Sequence, residues 1–163
     1  FDYLQAFNHD GGCATLQIDY SILNRTAEAD ILPYCQAHNI GVIVRGPLAM
    51  GILTGKMSAG SEFPEGDFRQ AWQTDAAQRA TFLDDLDVVE RLRPLADGRS
   101  LGQLALQFTL AHPATSVVIP GARTLRQLEQ NLGAAALPPL SAADMALIDA
   151  VVPPGGGRKI WPA

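Results

Sequence analysis

The stretch Val117-Val118-Ile119-Pro120-Gly121-Ala122-Arg123-Thr124-Leu125-Arg126-Gln127 joins an apolar strand to a helix start whose residue types suit an anion. Val117 to Ile119 is a β-branched run that reads as a buried strand, and Pro120 closes it because proline has no N–H to give a central ladder. Gly121 lets the backbone turn. Thr124 and Gln127 have the spacing of a capping box, which starts a helix with its first amides unpaired and its positive dipole end facing the strand terminus. Arg123 and Arg126 add planar forks that bond two phosphate oxygens at once. The combination suits a nucleotide phosphate; the same residues also describe an ordinary capped helix with solvated arginines.

The elements that would position this site alternate along the chain. Residues 14–20 (Ala14-Thr15-Leu16-Gln17-Ile18-Asp19-Tyr20) alternate as a short strand. A helix is expected over about 28–39, with Ile31, Leu32, Cys35 and Ala37 inward and Gly41 as its stop. Val42 to Arg45 is the next strand. The segment after it, to about Thr74, is rich in Gly, Ser, Pro and charge, as lids and binding loops are. A long helix over about 76–96 points Phe82, Leu86, Val89 and Leu92 inward. Ser100 and Gln103 form a second capping box, opening a helix to Ala111 that carries Leu104, Ala105, Phe108 and Leu110. A third strand over 116–119 leads to a helix over about 124–135, and Ser141 with Asp144 caps a last helix to about Val151. Three strands alternating with helices give an α/β fold with a parallel sheet, because parallel neighbours need a long crossover. Three strands alone leave two raw edges and an uncovered face, so the rest of a larger sheet is expected elsewhere. Phe1 is not an initiator methionine, and residues 1–7 have apolar positions at helical spacing; a fragment of a longer protein is the expectation.

Composition narrows the class of partner. The 163 residues are 47% hydrophobic and 18% charged, as in one soluble globular domain. A net charge of −5 argues against a nucleic acid or an anionic membrane as the main partner. No apolar run reaches transmembrane length and no signal peptide is visible. Cys13 and Cys35 lack metal or CxxC spacing, so reduced thiols in the cytoplasm are expected, with a disulfide left open.

Four motifs, in this order, resemble the C-terminal half of an aldo-keto reductase. They are Leu16-Gln17-Ile18-Asp19-Tyr20-Ser21-Ile22-Leu23-Asn24-Arg25, then Gly46-Pro47-Leu48-Ala49-Met50-Gly51-Ile52-Leu53-Thr54-Gly55-Lys56, then Ser100-Leu101-Gly102-Gln103-Leu104-Ala105-Leu106, and last Val118 to Arg123 leading to Gln127-Leu128-Glu129-Gln130-Asn131-Leu132. The resemblance covers nearly the whole chain. It implies the C-terminal part of a (β/α)8 TIM barrel, with the three strands as the sixth, seventh and eighth and their C-terminal ends toward the cofactor. It also implies NADP(H) as cofactor, a small-molecule carbonyl as substrate, and an N-terminal half of the barrel as the structural partner of residues 1–163.

Carried over by residue, the resemblance gives Gln17 the nicotinamide carboxamide, which requires a side chain with both donor and acceptor. Arg45 and Gly46, Pro47, Leu48 and Ala49 would form the loop under the nicotinamide ribose and pyrophosphate. Many members have a tyrosine where Arg45 stands, so here a guanidinium replaces the stacking ring. Leu53, Thr54, Gly55 and Lys56 resemble the segment that closes over the pyrophosphate. Gly121, Ala122 and Arg123, with Gln127, Gln130 and Asn131, align with the residues that hold the adenosine 2′-phosphate and the adenine. Gln127 stands where many relatives have an arginine and Gln130 where many have an acid, which leaves the 2′-phosphate mainly to Arg123.

The family's catalytic tyrosine, lysine, aspartate and histidine belong to the first half of the barrel, and no position here matches them. Tyr3, Tyr20 and Tyr34 read as core or strand-end aromatics, and His9, His38 and His112 as helix-end caps of carbonyls. The expectation is a reductase whose catalytic acid lies outside this chain, which alone is inactive. Trp161 is expected to pack on the barrel. A non-catalytic half-barrel that binds nucleotides or a partner protein is the alternative, and a different phosphate-binding barrel a third; the third leaves Gln17 and the Thr54-Gly55-Lys56 segment without a purpose.

Overall fold

β-Branched and leucine residues at alternate positions make three short strands, and in the computed structural model, which describes residues 1–159, these pair in parallel. They are β1 (Thr15–Asp19), β2 (Gly41–Arg45) and β3 (Thr115–Val118), in the order β1-β2-β3. Gln17 pairs with Ile43, and Ile43 with Val117. Between Val42 and Ile43 the register against β3 slips by one residue, and the extra residue, Ser116, accepts the Val42 N–H on its hydroxyl at 3.2 Å.

The two faces of this sheet differ. Val42 and Val44 are fully buried, and Leu16, Ile18 and Val118 pack against the same core. Alternation puts Gln17, Asp19, Ile43, Arg45 and Val117 on the opposite face. β3, expected to be buried, is not: Val117 is 44% and Ile119 47% exposed, because β3 is a sheet edge and nothing among the described residues covers that face.

Seven α-helices are formed among the described residues: α1 (Asp2–Phe7), α2 (Ile31–Ala37), α3 (Ala71–Thr74), α4 (Ala76–Leu92), α5 (Leu101–Ala111), α6 (Leu125–Gly133) and α7 (Ala142–Val151). The boxes at Ser100/Gln103, Thr124/Gln127 and Ser141/Asp144 all close reciprocally, so α5, α6 and α7 begin where those residues place them. Several expectations change. The 28–39 helix is shorter, because a 3-10 turn over Thr26–Glu28 precedes α2, and Ala37 faces solvent while Leu32 and Cys35 are buried. Asn39, at φ 53°, takes the left-handed residue after α2, and Gly41 already belongs to β2. The 76–96 helix stops at Leu92 because Pro94 lacks an N–H, and Arg93–Leu95 tighten into a 3-10 turn. Leu110 is 43% exposed, and in α1 Leu4 is buried whereas Tyr3 is 93% exposed. Trp161 lies outside the described residues.

A buried ion network fastens the chain after β1 to the C-terminal segment. Arg25, 4% exposed, donates to Glu28 Oε1 at 2.9 Å, to Asp149 Oδ1 at 2.7 Å and to the Val152 carbonyl at 2.6 Å, and lies 5.1 Å over the Phe108 ring. The Tyr20 hydroxyl donates to Glu28 Oε1 at 2.6 Å, and the Gly155 N–H to Glu28 Oε2 at 3.1 Å. Burial and the neighbouring Glu28 carboxylate push the Tyr20 phenol far above its ordinary pKa, so it stays a donor. Arg25→Met would strand the Glu28 carboxylate in this interior and is expected to cost about 3–5 kcal/mol of stability, read from the urea midpoint. A loss under about 1 kcal/mol would mean that the network holds nothing together.

Candidate functional site

Parallel pairing brings the C-terminal ends of β2 and β3 to the same edge of the sheet, and the segments leaving them frame a cleft of about 670 Å³. From β2 the chain turns at Gly46, φ 65°, and enters a 3-10 segment, Ala49–Thr54. Ala49, Met50 and Gly51 lie consecutively in the left-handed region, at φ 47°, 56° and 97°. Each non-glycine residue there costs about 1–3 kcal/mol, which the surroundings must hold in place. The fully buried Ala49 and Ile52 and the 2% exposed Leu53 anchor the segment from below.

Gly46, Pro47, Leu48, Thr54 and Lys56, assigned by the resemblance to the cofactor, line one side of the cleft. Gly121, Ala122, Arg123, Gln127, Gln130 and Asn131 line the other. The structure does not bring Ala49, Leu53 and Gly55 into the cleft. Ala49 and Leu53 are core side chains, and Gly55, φ 69°, is where the chain crosses Leu101 so closely that a Cβ would strike it. Gln17 and the half-buried Arg45 stand apart, on the bare sheet face. Gln17 is exposed and so is not a core glutamine satisfied by backbone.

At the α6 end of the cleft, the Thr124 hydroxyl accepts the Gln127 N–H at 3.2 Å. Gln127 Oε1 in return accepts the N–H groups of Thr124 at 3.2 Å and Arg123 at 2.7 Å, so its carbonyl shapes the loop. The first helical amides, Leu125 and Arg126, have no acceptor inside the helix. Gly121 does not take a left-handed φ, and a Cβ there would meet nothing within 4 Å, so the turn does not depend on glycine. The Asn131 amide donates to the Gly121 carbonyl at 3.4 Å and holds the loop against α6.

The long segment between β2 and α4 contributes residues that the motifs did not single out. Of these, Phe68, Arg69 and Met57 reach the cleft; Met50, Gly51, Ser100, Gly102 and Gln103, which stand in the motifs without an assigned cofactor role, line it as well. Arg69 is held in place by a fork: its Nε donates to Asp67 Oδ1 at 2.9 Å and its Nη2 to Asp67 Oδ2 at 2.6 Å. Its guanidinium lies 4.8 Å over the Phe63 ring, and its Nη1 is next to Gly51. The Asp67-x-Arg69 spacing inside a Phe-rich loop is the signal that would have found it. Lys56, Arg69 and Arg123 thus put three cations around one cleft of an acidic chain.

The other ring-bearing candidates sit elsewhere. Tyr20 is buried on the helix side, and Tyr34 stacks on His38 at 3.9 Å. His9 and His38 cap the carbonyls of Ala6 and Tyr34, whereas His112 departs from the expected role: its Nδ1 accepts the Ala114 N–H at 3.2 Å. Burial lowers the His112 pKa, in keeping with that accepting role. Cys13 and Cys35 are free thiols. No group of His, Cys, Asp and Glu able to hold a metal occurs among the described residues, and none of the helices there is long and apolar enough to cross a membrane.

The Arg69 side chain, and then its backbone N–H, hold the Asp67 carboxyl at about 2, with the Arg123 charge adding to the effect. A depressed folded-state value means that this pair's contribution is complete above about pH 4 and is lost as pH falls through about 2. Carboxyl-carbon NMR is expected to show the Asp67 midpoint near 2; a midpoint near 4 would mean that the fork is absent in solution.

The model of the aldo/keto reductase family matches residues 6–153. The chain is 30% identical over 162 residues to the aldo-keto reductase yakc of Schizosaccharomyces pombe, whose name gives NADP(+), covering 91% of this chain and 47% of that protein. It is similar in structure to the glycerol dehydrogenase AKR11B4 of Gluconobacter oxydans, at a TM-score of 0.79 and 27% identity, over 99% of this chain and 49% of that one. A Klebsiella pneumoniae aldo-keto reductase solved in complex with NADPH gives a TM-score of 0.59 at 26% identity, over 88% and 41%. The chain spans about half the length of the curated relatives it matches.

Proposed function

The chain belongs to the aldo/keto reductase family, whose fold is the TIM barrel, and on that premise we propose that the protein is an NADP(H)-dependent oxidoreductase that interconverts carbonyls and alcohols. In this reading β1, β2 and β3 are strands six, seven and eight of the barrel, within one domain that residues 1–163 only partly supply. The bare sheet face supports it. So do the exposed leucines of α6, at 70% for Leu125, 46% for Leu128 and 66% for Leu132, an apolar stripe of the kind the rest of a barrel would cover. The relatives solved with NADPH bring the cofactor, and the cation-lined cleft at the strand ends is the observation that carries it to this chain.

The residues present fit that cofactor. Arg123 and the unpaired Leu125 and Arg126 amides would take the 2′-phosphate, with charge, fork geometry and helix dipole acting together. Gln127, Gln130 and Asn131 would hold the adenosine end. The Gly46–Lys56 segment would run along the ribose and pyrophosphate, and Arg69 adds a charge that the motifs did not anticipate. Gln17, exposed on the bare face, would pair its amide with the nicotinamide carboxamide, with Arg45 beside it. Bound NADPH supplies the hydride. The tyrosine that gives the proton, with its lysine, aspartate and histidine, would come from the remainder of the barrel, which makes the 163-residue chain inactive alone. The free thiols are in keeping with a cytoplasmic location. In the full-length protein, Arg123→Ala is expected to weaken NADPH by about 1.5–3 kcal/mol and NADH far less, measured by fluorescence titration. Equal losses for the two cofactors would show that Arg123 does not read the 2′-phosphate.

A further inference from the structure

One carboxylate on the bare sheet face is left incomplete. Asp19 ends β1, two residues beyond Gln17 and therefore about 6.7 Å further toward the strand end on the same face. Its Oδ2 accepts the Asn24 amide at 3.0 Å, while Oδ1 is buried and meets no donor among the described residues. A buried carboxylate oxygen without a partner is uncommon and costly, so it calls for positive charge or a donor from outside these residues. Asp19 stands in register with Arg45, so that one row of the sheet carries an anion and a cation on adjacent strands.

We propose that Asp19 and Arg45 act in opposition to set the relative affinity for oxidised and reduced nicotinamide. This rests on the reading that Gln17 holds the nicotinamide carboxamide. The ring carries a positive charge when oxidised and none when reduced, so a fixed charge beside it changes one affinity and spares the other. A guanidinium at the end of β2, where an aromatic ring would be neutral, disfavours the oxidised form. Asp19, one strand over, offsets that penalty through the net charge of its carboxylate, which no donor at Oδ1 among the described residues diminishes. Asn24 fixes the orientation of Asp19 through Oδ2, and Asn24 is itself 2% exposed and held in the turn after β1.

The test is the pair of dissociation constants for NADP(+) and NADPH, measured by calorimetry on the full-length protein. Asp19→Asn keeps an acceptor for Asn24 and removes only the charge. It is expected to weaken NADP(+) about tenfold and to change NADPH less than about twofold, a scale set by one charge several ångströms away in a partly shielded site. Tenfold corresponds to raising the two-electron potential of the bound cofactor by about 30 mV. Arg45→Gln is expected to move the ratio in the opposite direction, which keeps the proposal testable if Asp19→Asn does not fold. Equal changes in both constants would overturn it, since a structural role moves both. Wild-type protein that binds neither cofactor would instead overturn the proposed function itself.

Discussion

The cleft exists because β2 and β3 run parallel. Antiparallel strands would send their following segments to opposite edges; parallel ones release both at the same edge, with a crossover between them. Here that crossover runs from Gly46 to Ala114, and it must be long enough to carry α4 and α5 across the back of the sheet. Its first residues, Gly46 to Lys56, thereby return to face Gly121 to Asn131, far apart in sequence and adjacent in space. Removing the parallel pairing would separate Lys56 and Arg69 from Arg123, and the cation-lined cleft would be lost.

The two regions of high charge are built differently. Around Arg25 the charges are answered, with Arg25 buried, Glu28 nearly so and Asp149 at the rim: three acceptors surround one guanidinium, and the Glu28 carboxylate takes Tyr20 and the Gly155 amide as well. Such a set fixes position, since breaking one member strands the others. A second tie, Arg158 to the buried Asp85, secures the same C-terminal segment to α4. Around the cleft the cations are only partly answered. Arg69 has Asp67, while Lys56 and Arg123 are exposed. A network that answers its charges around Arg25, beside a cleft that leaves its cations in excess, is the arrangement expected where the missing counter-charge belongs to a ligand.

Local signals carried far in this sequence where the physics is local. Capping boxes depend on two side chains three residues apart, and all three placed helix starts correctly. Strand identity also followed from β-branched runs. Burial did not, because it depends on what lies across the sheet: Val117 and Ile119 have the composition of a core strand and lie on an edge. The site divides in the same way. That the residues just after β2 and at the α6 start line one cleft was legible, since a strand end and a helix start are one-dimensional features; Gln17 and Arg45, assigned to the same cofactor, lie outside that cleft. Gly55 shows the limit: its motif suggests a phosphate loop, yet its close crossing with Leu101 makes it a packing residue. Arg69 escaped notice because its place is set by a fork to Asp67 and a face on Phe63, neither of which has a periodic signature.

The most direct test of the account is amide hydrogen exchange of the full-length protein with and without saturating NADPH. Slower exchange is expected in two separate stretches together, 46–57 and 121–131, with no change in the Arg25 network at 20–28 and 149–158. Protection confined to one stretch, or absent from both while NADPH is bound, would contradict a cofactor cleft formed by the ends of β2 and β3.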